Sequence, residues 1–191
     1  PFQKIAIIGA GAAAFRFIQN YREFNSTDEI VVFSNEMNPF YNRVLLPEYM
    51  TGEFSWEKLL KVKDGEALNK LKISMNPGIA ITKIDSNTKT ITDSLGETHT
   101  YDSLIMATGS RPFVPENAQL HLPGRFTVRR KEDADRLKKH LDSTNLPPEE
   151  QHVVIIGGGL LGLELAAALK HKKVKTTIVQ RASRLMERQL D

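Results

Sequence analysis

The chain has 191 residues, of which 40% are apolar and 26% are charged, a composition typical of a globular protein of one to two domains. Lys and Arg number 26 against 23 Asp and Glu, and no block of one sign indicates a nucleic-acid partner. With no cysteine, these residues cannot form a disulfide, a thiolate metal site, an iron–sulfur ligand set or a cysteine nucleophile. No segment predicts a membrane span or a signal peptide, so a cytoplasmic location is expected.

The predicted elements alternate between strands and helices in the outer thirds of the chain. The strands are expected, in chain order, over residues 2–8, 30–33, 80–84, 89–92, 97–101, 103–106, 153–156 and 175–179. The helices are expected over residues 12–24, 132–141 and 160–171. The three strands of the middle segment alternate apolar and polar residues between turn residues, which predicts a small antiparallel meander at about 79–101.

One pattern occurs twice: an apolar strand, a glycine turn, a helix and a second strand. The glycine turn begins at Gly9 in the first copy and at Gly157 in the second. The order strand, helix, strand is that of a parallel βαβ unit, so the sequence predicts an α/β fold with two Rossmann-like dinucleotide-binding units. The second unit stops shortly after its second strand, and we therefore expect the sequence to be a piece of a longer protein.

The first glycine turn has the spacing G-x-G-x-x-A. Its first glycine permits a tight turn, its second lets the backbone approach a pyrophosphate, and its small last residue lets helix and strand pack closely. The amides at the start of the helix then face the phosphates without a basic side chain. Glu36 follows about 20 residues later, where a carboxylate can bind a ribose, although an ordinary surface carboxylate fits the sequence too. The predicted contacts of this turn are Gly9, Gly11, Ala12, Ala13 and Ala14.

The second turn has the spacing G-x-G-x-x-G and predicts a second dinucleotide site. Where its second strand ends, the usual ribose-binding carboxylate is replaced by Gln180, and Arg181 and Arg184 follow. Two guanidinium groups without a nearby carboxylate could bind the 2′-phosphate of NADPH. Gln180 could equally bind the ribose of NADH, with both arginines solvated. The predicted contacts here are Gly157, Gly159, Leu160, Leu161, Gly162, Gln180 and Arg181.

Two dinucleotide sites in one chain indicate two redox cofactors, a flavin and a nicotinamide. The order of motifs resembles that of the FAD-dependent pyridine-nucleotide oxidoreductases over essentially the whole chain. The motifs are GAGAAA, Glu36, PFYNRVLL from Pro39, ATGSRP from Ala107, TVR from Thr127 and GGGLLGLELA from Gly157. The pieces YNRV from Tyr41 and RLMERQLD from Arg184 are most similar to the flavoprotein part of NAD(P)H-dependent nitrite reductases.

The resemblance implies FAD and NAD(P)H as cofactors and hydride transfer between them, with no catalytic side chain. The five histidines lie in unrelated segments without a shared metal-ligand spacing, so no metal site is expected in these residues. It places Arg43 at the phosphates or ribityl chain, Ile81 at the adenine through its backbone, and Glu164 near the nicotinamide. It also places Thr108, Gly109 and Arg129 at the flavin cofactor. Each of these has a structural alternative: a surface ion pair for the arginines, a core position for Ile81, and a turn without a ligand for Thr108 and Gly109.

Two departures from the family pattern narrow the function. Ferredoxin-reductase relatives carry a lysine near the flavin shortly after the arginine of YNRV, but residues 45–49 contain none. Disulfide-reductase relatives carry a cysteine pair, which is absent here. The implied function is therefore passage of electrons from NAD(P)H through FAD to another centre, in nitrite reduction.

Two alternatives to this function remain open: a stand-alone rubredoxin or ferredoxin-type reductase, and a dinucleotide-binding regulatory module without turnover. The expected electron acceptor is a small molecule or a redox centre. The nitrite reading implies an iron–sulfur and sirohaem module elsewhere in the protein, and a homodimer is one expected assembly. The expected organisation is an FAD-binding domain over 1–141, a linker over 142–151 and an incomplete NAD(P)H-binding domain over 152–191.

Overall fold

The computed structural model describes residues 2–186, whose contacts form two compact units. The first unit holds the described residues up to Asn42 together with Leu60–Arg111, and the second holds Arg43–Leu59 and the described residues from Pro112 onward. Residues 112–141 therefore pack with the second unit, although the sequence assigned them to the first domain. Which residues form each cofactor domain stays a prediction, and residues 187–191, with their part of the RLMERQLD motif, lie outside the described chain.

The elements of the described residues follow in chain order. The strands are β1 (Lys4–Ile8), β2 (Glu29–Ser34), β3 (Ile73–Pro77), β4 (Ile81–Asp85), β5 (Thr90–Asp93), β6 (Thr98–Thr100), β7 (Ser103–Met106), β8 (His152–Ile156) and β9 (Lys175–Val179). The α-helices are α1 (Ala12–Phe24), α2 (Leu46–Met50), α3 (Trp56–Leu59), α4 (Gly65–Lys70), α5 (Lys131–Ser143) and α6 (Leu160–His171). Single 3₁₀ turns occur at Arg43–Leu45, Glu116–Ala118 and Pro148–Glu150.

The first unit is built on a parallel sheet of order β3-β2-β1-β7. Ile8 at the end of β1 pairs with Phe33 of β2 and with Met106 of β7, so the carboxyl ends of three strands meet at one edge. Ala14 and Ile18 lie one turn apart on α1 and pack into the core beside the sheet. This packing fixes the start of α1 directly after the end of β1.

The edge strand β3 was not predicted from the sequence. Its residues include the polar side chains of Ser74 and Asn76, and it ends in Pro77, which argues against a central strand. At the edge of a sheet a proline is tolerated, because its missing N–H faces away from the neighbouring strand. The pairing of Ile30 with Ile73 through Ser34 with Pro77 places β3 at that edge.

The predicted meander is present as the antiparallel sheet β4-β5-β6. Its hairpin is held by Asp93, whose Oδ1 accepts the N–H groups of Leu95 and Glu97, while His99 Nε2 lies 2.8 Å from Oδ2. The His99 ring lies against Phe33, with ring centroids 4.9 Å apart. Within residues 2–186 this group, with the Glu97 carboxylate, is the one set of three whose atoms could approach a metal ion. The hydrogen bonds of Asp93 are sufficient to explain why these three residues lie together in the hairpin.

We expect Asp93→Asn to change how the free energy of unfolding depends on pH in the acid range. The hydrogen bond from His99 lowers the pKa of the Asp93 carboxyl, and the two backbone N–H groups lower it further. A depressed pKa stabilises the fold above the carboxyl's unfolded pKa of about 3.9, and this contribution is lost as the pH falls through the lower folded pKa. The variant should be less stable near about pH 6, and its stability should fall less steeply below about pH 4.

Urea denaturation at a series of pH values measures this difference. Asp142→Asn, which removes an exposed carboxylate on α5, is the matched control and should follow the unmodified chain. If the stabilities of Asp93→Asn and of the unmodified chain fall in parallel as the pH is lowered, the pKa of Asp93 is not lowered by folding.

The second unit contains the parallel pair β8-β9 with α6 between them in sequence, and α2 contacts both α5 and α6. Tyr49 of α2 donates a 2.6 Å hydrogen bond to Asp135 of α5, which also pairs with Lys131 at 2.7 Å. The Lys131 ammonium lies over the rings of Tyr49 and Trp56. Burial and the Asp135 contact raise the pKa of Tyr49. No helix among residues 2–186 has the length and apolar character needed to cross a bilayer.

Candidate functional site: two glycine turns with the same geometry

The glycine turns that follow β1 and β8 have nearly the same backbone geometry. Gly9 and Gly157 have φ angles of +108° and +114°, a left-handed region that only glycine adopts without strain. Gly9 N donates to Phe33 O at 2.8 Å, and Gly157 N donates to Val179 O at 2.9 Å, so each turn is tied to the neighbouring strand. The repeat seen in the sequence is therefore a repeat of structure.

The second glycine of each turn starts a helix and faces open space. Gly11 precedes α1 and Gly159 precedes α6, both with extended backbone. A Cβ built on either would meet no atom within 4 Å. Ala12 and Ala13, which follow Gly11, are exposed, and Leu160 and Leu161 are 52% and 58% exposed. The second glycine of each turn and the two residues after it thus border a space that a ligand can enter.

The starts of α1 and α6 also differ from that of α5, a helix of similar length. Asp133, in the first turn of α5, caps this helix: its carboxylate accepts hydrogen bonds from the N–H groups of Arg129 and Arg130, each at 3.0 Å. Neither α1 nor α6 has a side-chain cap or an acidic residue in its first turn. Their first N–H groups and the positive end of the helix dipole are available to an anion, as the pyrophosphate of a dinucleotide requires. The residues present therefore fit such a group at both turns.

The last small residue of each turn sets the distance between helix and strand. Ala14 is fully buried under β1. A Cβ on Gly162 would lie 2.1 Å from Gly157 O, so α6 approaches its own turn too closely for any side chain there. Both positions serve packing, whereas Gly11 and Gly159 line the open side.

The turn after β7 lies directly against the first glycine turn. Ala107 N donates to Ile8 O at 2.8 Å, and a Cβ on Gly9 would lie 2.1 Å from Ala107 O and 3.1 Å from Thr108 N. Thr108 and Gly109 follow as exposed residues, with Gly109 at φ +70°. The structure therefore brings the two predicted FAD-contacting turns of the first unit together.

Glu36 lies just beyond the end of β2 and is buried, with 8% of its surface exposed. Tyr41 donates a 2.8 Å hydrogen bond to Glu36 Oε2, and Glu36 N donates to Ser34 Oγ at 3.1 Å. The structure thus excludes the alternative of a solvent-exposed carboxylate. The Tyr41 contact was not predicted; Phe40, at φ +54°, redirects the chain so that Tyr41 reaches back to Glu36. Phe40 N is itself tied to Ala10 O of the first turn at 2.9 Å.

The remaining predicted residues lie on other elements of the two units. Ile81 is half-buried on β4 and packs against the cluster of Ala6, Phe33, Ile91 and Tyr101. In the second unit, Arg43 donates to Arg129 O at 3.2 Å, so these two arginines lie together. Glu164 is half-buried on α6, one turn after Gly159. Their predicted roles at the cofactors stay predictions.

In the second unit the segment after β9 lies on the glycine turn. Gly158 N donates to Gln180 Oε1 at 2.9 Å, and Met186 N donates to Gly158 O at 3.0 Å. The sequence placed Gln180 at the ribose but gave no sign of its bond to the turn, because the two residues are far apart in the chain. Arg181 and Arg184 are both exposed.

This pair of dinucleotide-type turns agrees with the comparison to known proteins. Residues 3–191 match the family model described as pyridine nucleotide-disulphide oxidoreductase, and the chain belongs to that family. The match confirms the predicted family, the α/β fold and the cofactor class of FAD with a pyridine nucleotide.

Three similar proteins illustrate the range of the family. The nitrite reductase [NAD(P)H] large subunit of Klebsiella oxytoca is 34% identical over 98% of this chain and 19% of its own length. The assimilatory nitrate reductase electron transfer subunit of Bacillus subtilis is 32% identical over 99% of this chain and 24% of its own length. The crystal structure of NADH:rubredoxin oxidoreductase from Clostridium acetobutylicum is 29% identical, with a TM-score of 0.81 over all of this chain and 48% of that one. The chain thus spans less than half the length of each.

Proposed function

We propose that this chain is the FAD-binding and nicotinamide-binding part of an oxidoreductase that takes a hydride from NAD(P)H and passes electrons to a second redox centre, in nitrite reduction. The proposal is carried by the two glycine turns, which share one geometry and are each followed by a helix without a side-chain cap. Each turn would then bind one dinucleotide. The similarity to nitrite and nitrate reductase subunits supports the choice of acceptor. A cytoplasmic location and a homodimer stay predictions.

The residues of the first unit would hold FAD. The N–H groups at Ala12 and Ala13 would bind the pyrophosphate, and Glu36, oriented by Tyr41, would accept hydrogen bonds from the ribose hydroxyls. Thr108 and Gly109 would border the same cofactor from the neighbouring turn. FAD supplies the redox chemistry by accepting a hydride and releasing electrons. In the second unit, the turn Gly157–Gly159 and the start of α6 would bind the pyrophosphate of NAD(P)H in the same way.

A second candidate function is a stand-alone reductase of a small electron-carrier protein. It is favoured by the similarity in fold to NADH:rubredoxin oxidoreductase over the whole chain. Its ferredoxin-reductase form is disfavoured by residues 45–49, which lack the lysine expected in those relatives.

A visible absorption spectrum of the full-length protein, taken before and after anaerobic addition of NADH or NADPH, tests the proposal. We expect flavin absorption that is bleached by reduced nicotinamide, together with sirohaem absorption in the same preparation. Flavin absorption alone, with turnover of a small electron-carrier protein, would instead support the second candidate. A colourless protein that takes up no FAD would overturn both.

The role of Glu36 gives a further prediction. Glu36→Gln should weaken FAD binding about tenfold or more, because charge-assisted hydrogen bonds to the ribose become neutral ones. Titration of the deflavinated full-length protein with FAD measures this loss. Glu29→Gln, at the exposed start of the same strand, is the matched control and should bind FAD normally. Tyr41→Phe should give a smaller loss, since it removes only the group that orients Glu36. Equal affinity in the Glu36 and Glu29 variants would exclude the ribose assignment.

A further inference from the structure

The segment from Gln180 to Met186 is fixed against the middle glycine of the second turn. Gln180 accepts from Gly158 N at 2.9 Å, and Met186 N donates to Gly158 O at 3.0 Å. Leu185 lies so close that its Cδ2 would be 2.3 Å from a Cβ on Gly158. The positions of Gln180 and of the arginines on this segment are therefore set by the turn that would hold the nucleotide.

The bond to Gly158 determines which end of the Gln180 amide faces the turn. A backbone N–H can donate only to an oxygen, so Oε1 points at Gly158 and the NH₂ group points away from it. That NH₂ group donates to Arg184 O at 3.5 Å, the limit of a hydrogen bond. At the end of β9, where a carboxylate would offer an acceptor to the ribose, Gln180 therefore offers an NH₂ donor that makes only one long hydrogen bond.

Two positively charged side chains follow this donor in the sequence. Arg181 directly follows Gln180, and Arg184 lies three residues further; both side chains are exposed. Among residues 2–186, no carboxylate forms an ion pair with either guanidinium. A ribose 2′-hydroxyl gains most from an acceptor, whereas a 2′-phosphate offers only acceptors and carries negative charge. The arrangement thus suits the phosphate.

We propose that Gln180, held by Gly158, together with Arg181 and Arg184, makes the second dinucleotide site select NADPH over NADH by binding its 2′-phosphate. This inference rests on the proposed function, since it names which nucleotide the second site takes. Gln180 would donate to the phosphate through its NH₂ group, and the two guanidinium groups would pair with its charge.

The test compares two fragments that share every group except the 2′-phosphate. Binding of 2′,5′-ADP and of 5′-AMP to the full-length protein is measured by calorimetry, without turnover. The unmodified protein should bind 2′,5′-ADP at least about tenfold more tightly, and the difference should shrink as salt is added. Binding of 5′-AMP as tight as that of 2′,5′-ADP, or binding of neither, would overturn the inference.

Variants assign the selectivity to these residues. Gln180→Glu keeps an oxygen for Gly158 N but adds a negative charge, so it should abolish the preference for 2′,5′-ADP. Arg181→Gln and Arg184→Gln should each weaken binding of 2′,5′-ADP several-fold and leave 5′-AMP unchanged. Arg136→Gln, which removes an exposed arginine of α5, is the matched control and should keep the preference. If both segment variants behave like this control, the arginines do not bind the phosphate.

The outcome is separable from that of the proposed function. Flavin that is bleached by NADH faster than by NADPH would leave the oxidoreductase proposal standing and overturn this inference. A protein that contains no flavin but prefers 2′,5′-ADP would overturn the oxidoreductase proposal and leave the assignment of the 2′-phosphate site standing.

Discussion

Gly9→Ala is expected to destabilise the first unit by at least about 3 kcal/mol and to abolish FAD binding. The φ angle of +108° is strained for any residue with a side chain, and the new methyl would lie 2.1 Å from Ala107 O. That oxygen belongs to the backbone at the end of β7, which is itself bonded to Ile8 O through Ala107 N. Relief would require β1 and β7 to separate at the edge where the candidate FAD site lies.

The urea midpoint of unfolding and the flavin content of the purified full-length protein measure the two effects. Gly11→Ala is the matched control within the same turn, because its φ is −89° and its methyl would meet no atom within 4 Å. This control should fold normally while binding FAD more weakly, since the methyl enters the space of the pyrophosphate. Stability losses of equal size in both variants would contradict the distinction between a packing glycine and a ligand-facing one.

Gly162→Ala should have the second-largest effect, in the second unit. Its backbone is helical, so the cause is contact alone: the methyl would lie 2.1 Å from Gly157 O and 3.4 Å from Ile155 Cγ2. The helix α6 would have to move away from β8, which displaces the first N–H groups of the helix from the turn. We expect a loss of about 2 kcal/mol or more in stability, together with loss of nucleotide binding.

Thermal unfolding and calorimetric titration with NADP⁺ test this expectation. Gly159→Ala provides the comparison, because its methyl would face open space. It should leave the unfolding temperature nearly unchanged and weaken only nucleotide binding. A Gly162→Ala protein that unfolds at the normal temperature would show that α6 and its turn have more room than the structure gives them.

The strands and helices of both repeated units could be predicted because their signals are local. Apolar runs end in glycine turns, and Ala14 and Ile18 share one face of α1. The short helices α2, α3 and α4 were not predicted, since four to six residues are too few for a helical period to be visible. Packing with α5 and α6, from distant parts of the sequence, places α2 in the second unit.

The candidate site was predictable as a set of backbone positions but not as a set of side-chain contacts. The spacing of Gly9 and Gly11 is a property of the turn, so it could be predicted from the sequence. The bond between Tyr41 and Glu36 depends on the left-handed backbone of Phe40, a conformation that its residue type does not favour. The bond between Gln180 and Gly158 depends on β9 returning beside β8, a tertiary pairing.

Because the first turn ends in Ala14 and the second in Gly162, exchanging the two turns between the units would have different costs in the two directions. A graft of the second turn into the first unit would replace a buried methyl by hydrogen and leave a small void, a cost of about 1 kcal/mol. The reverse graft would drive a methyl into Gly157 O. The first unit therefore tolerates alanine or glycine at this position, whereas the second tolerates only glycine.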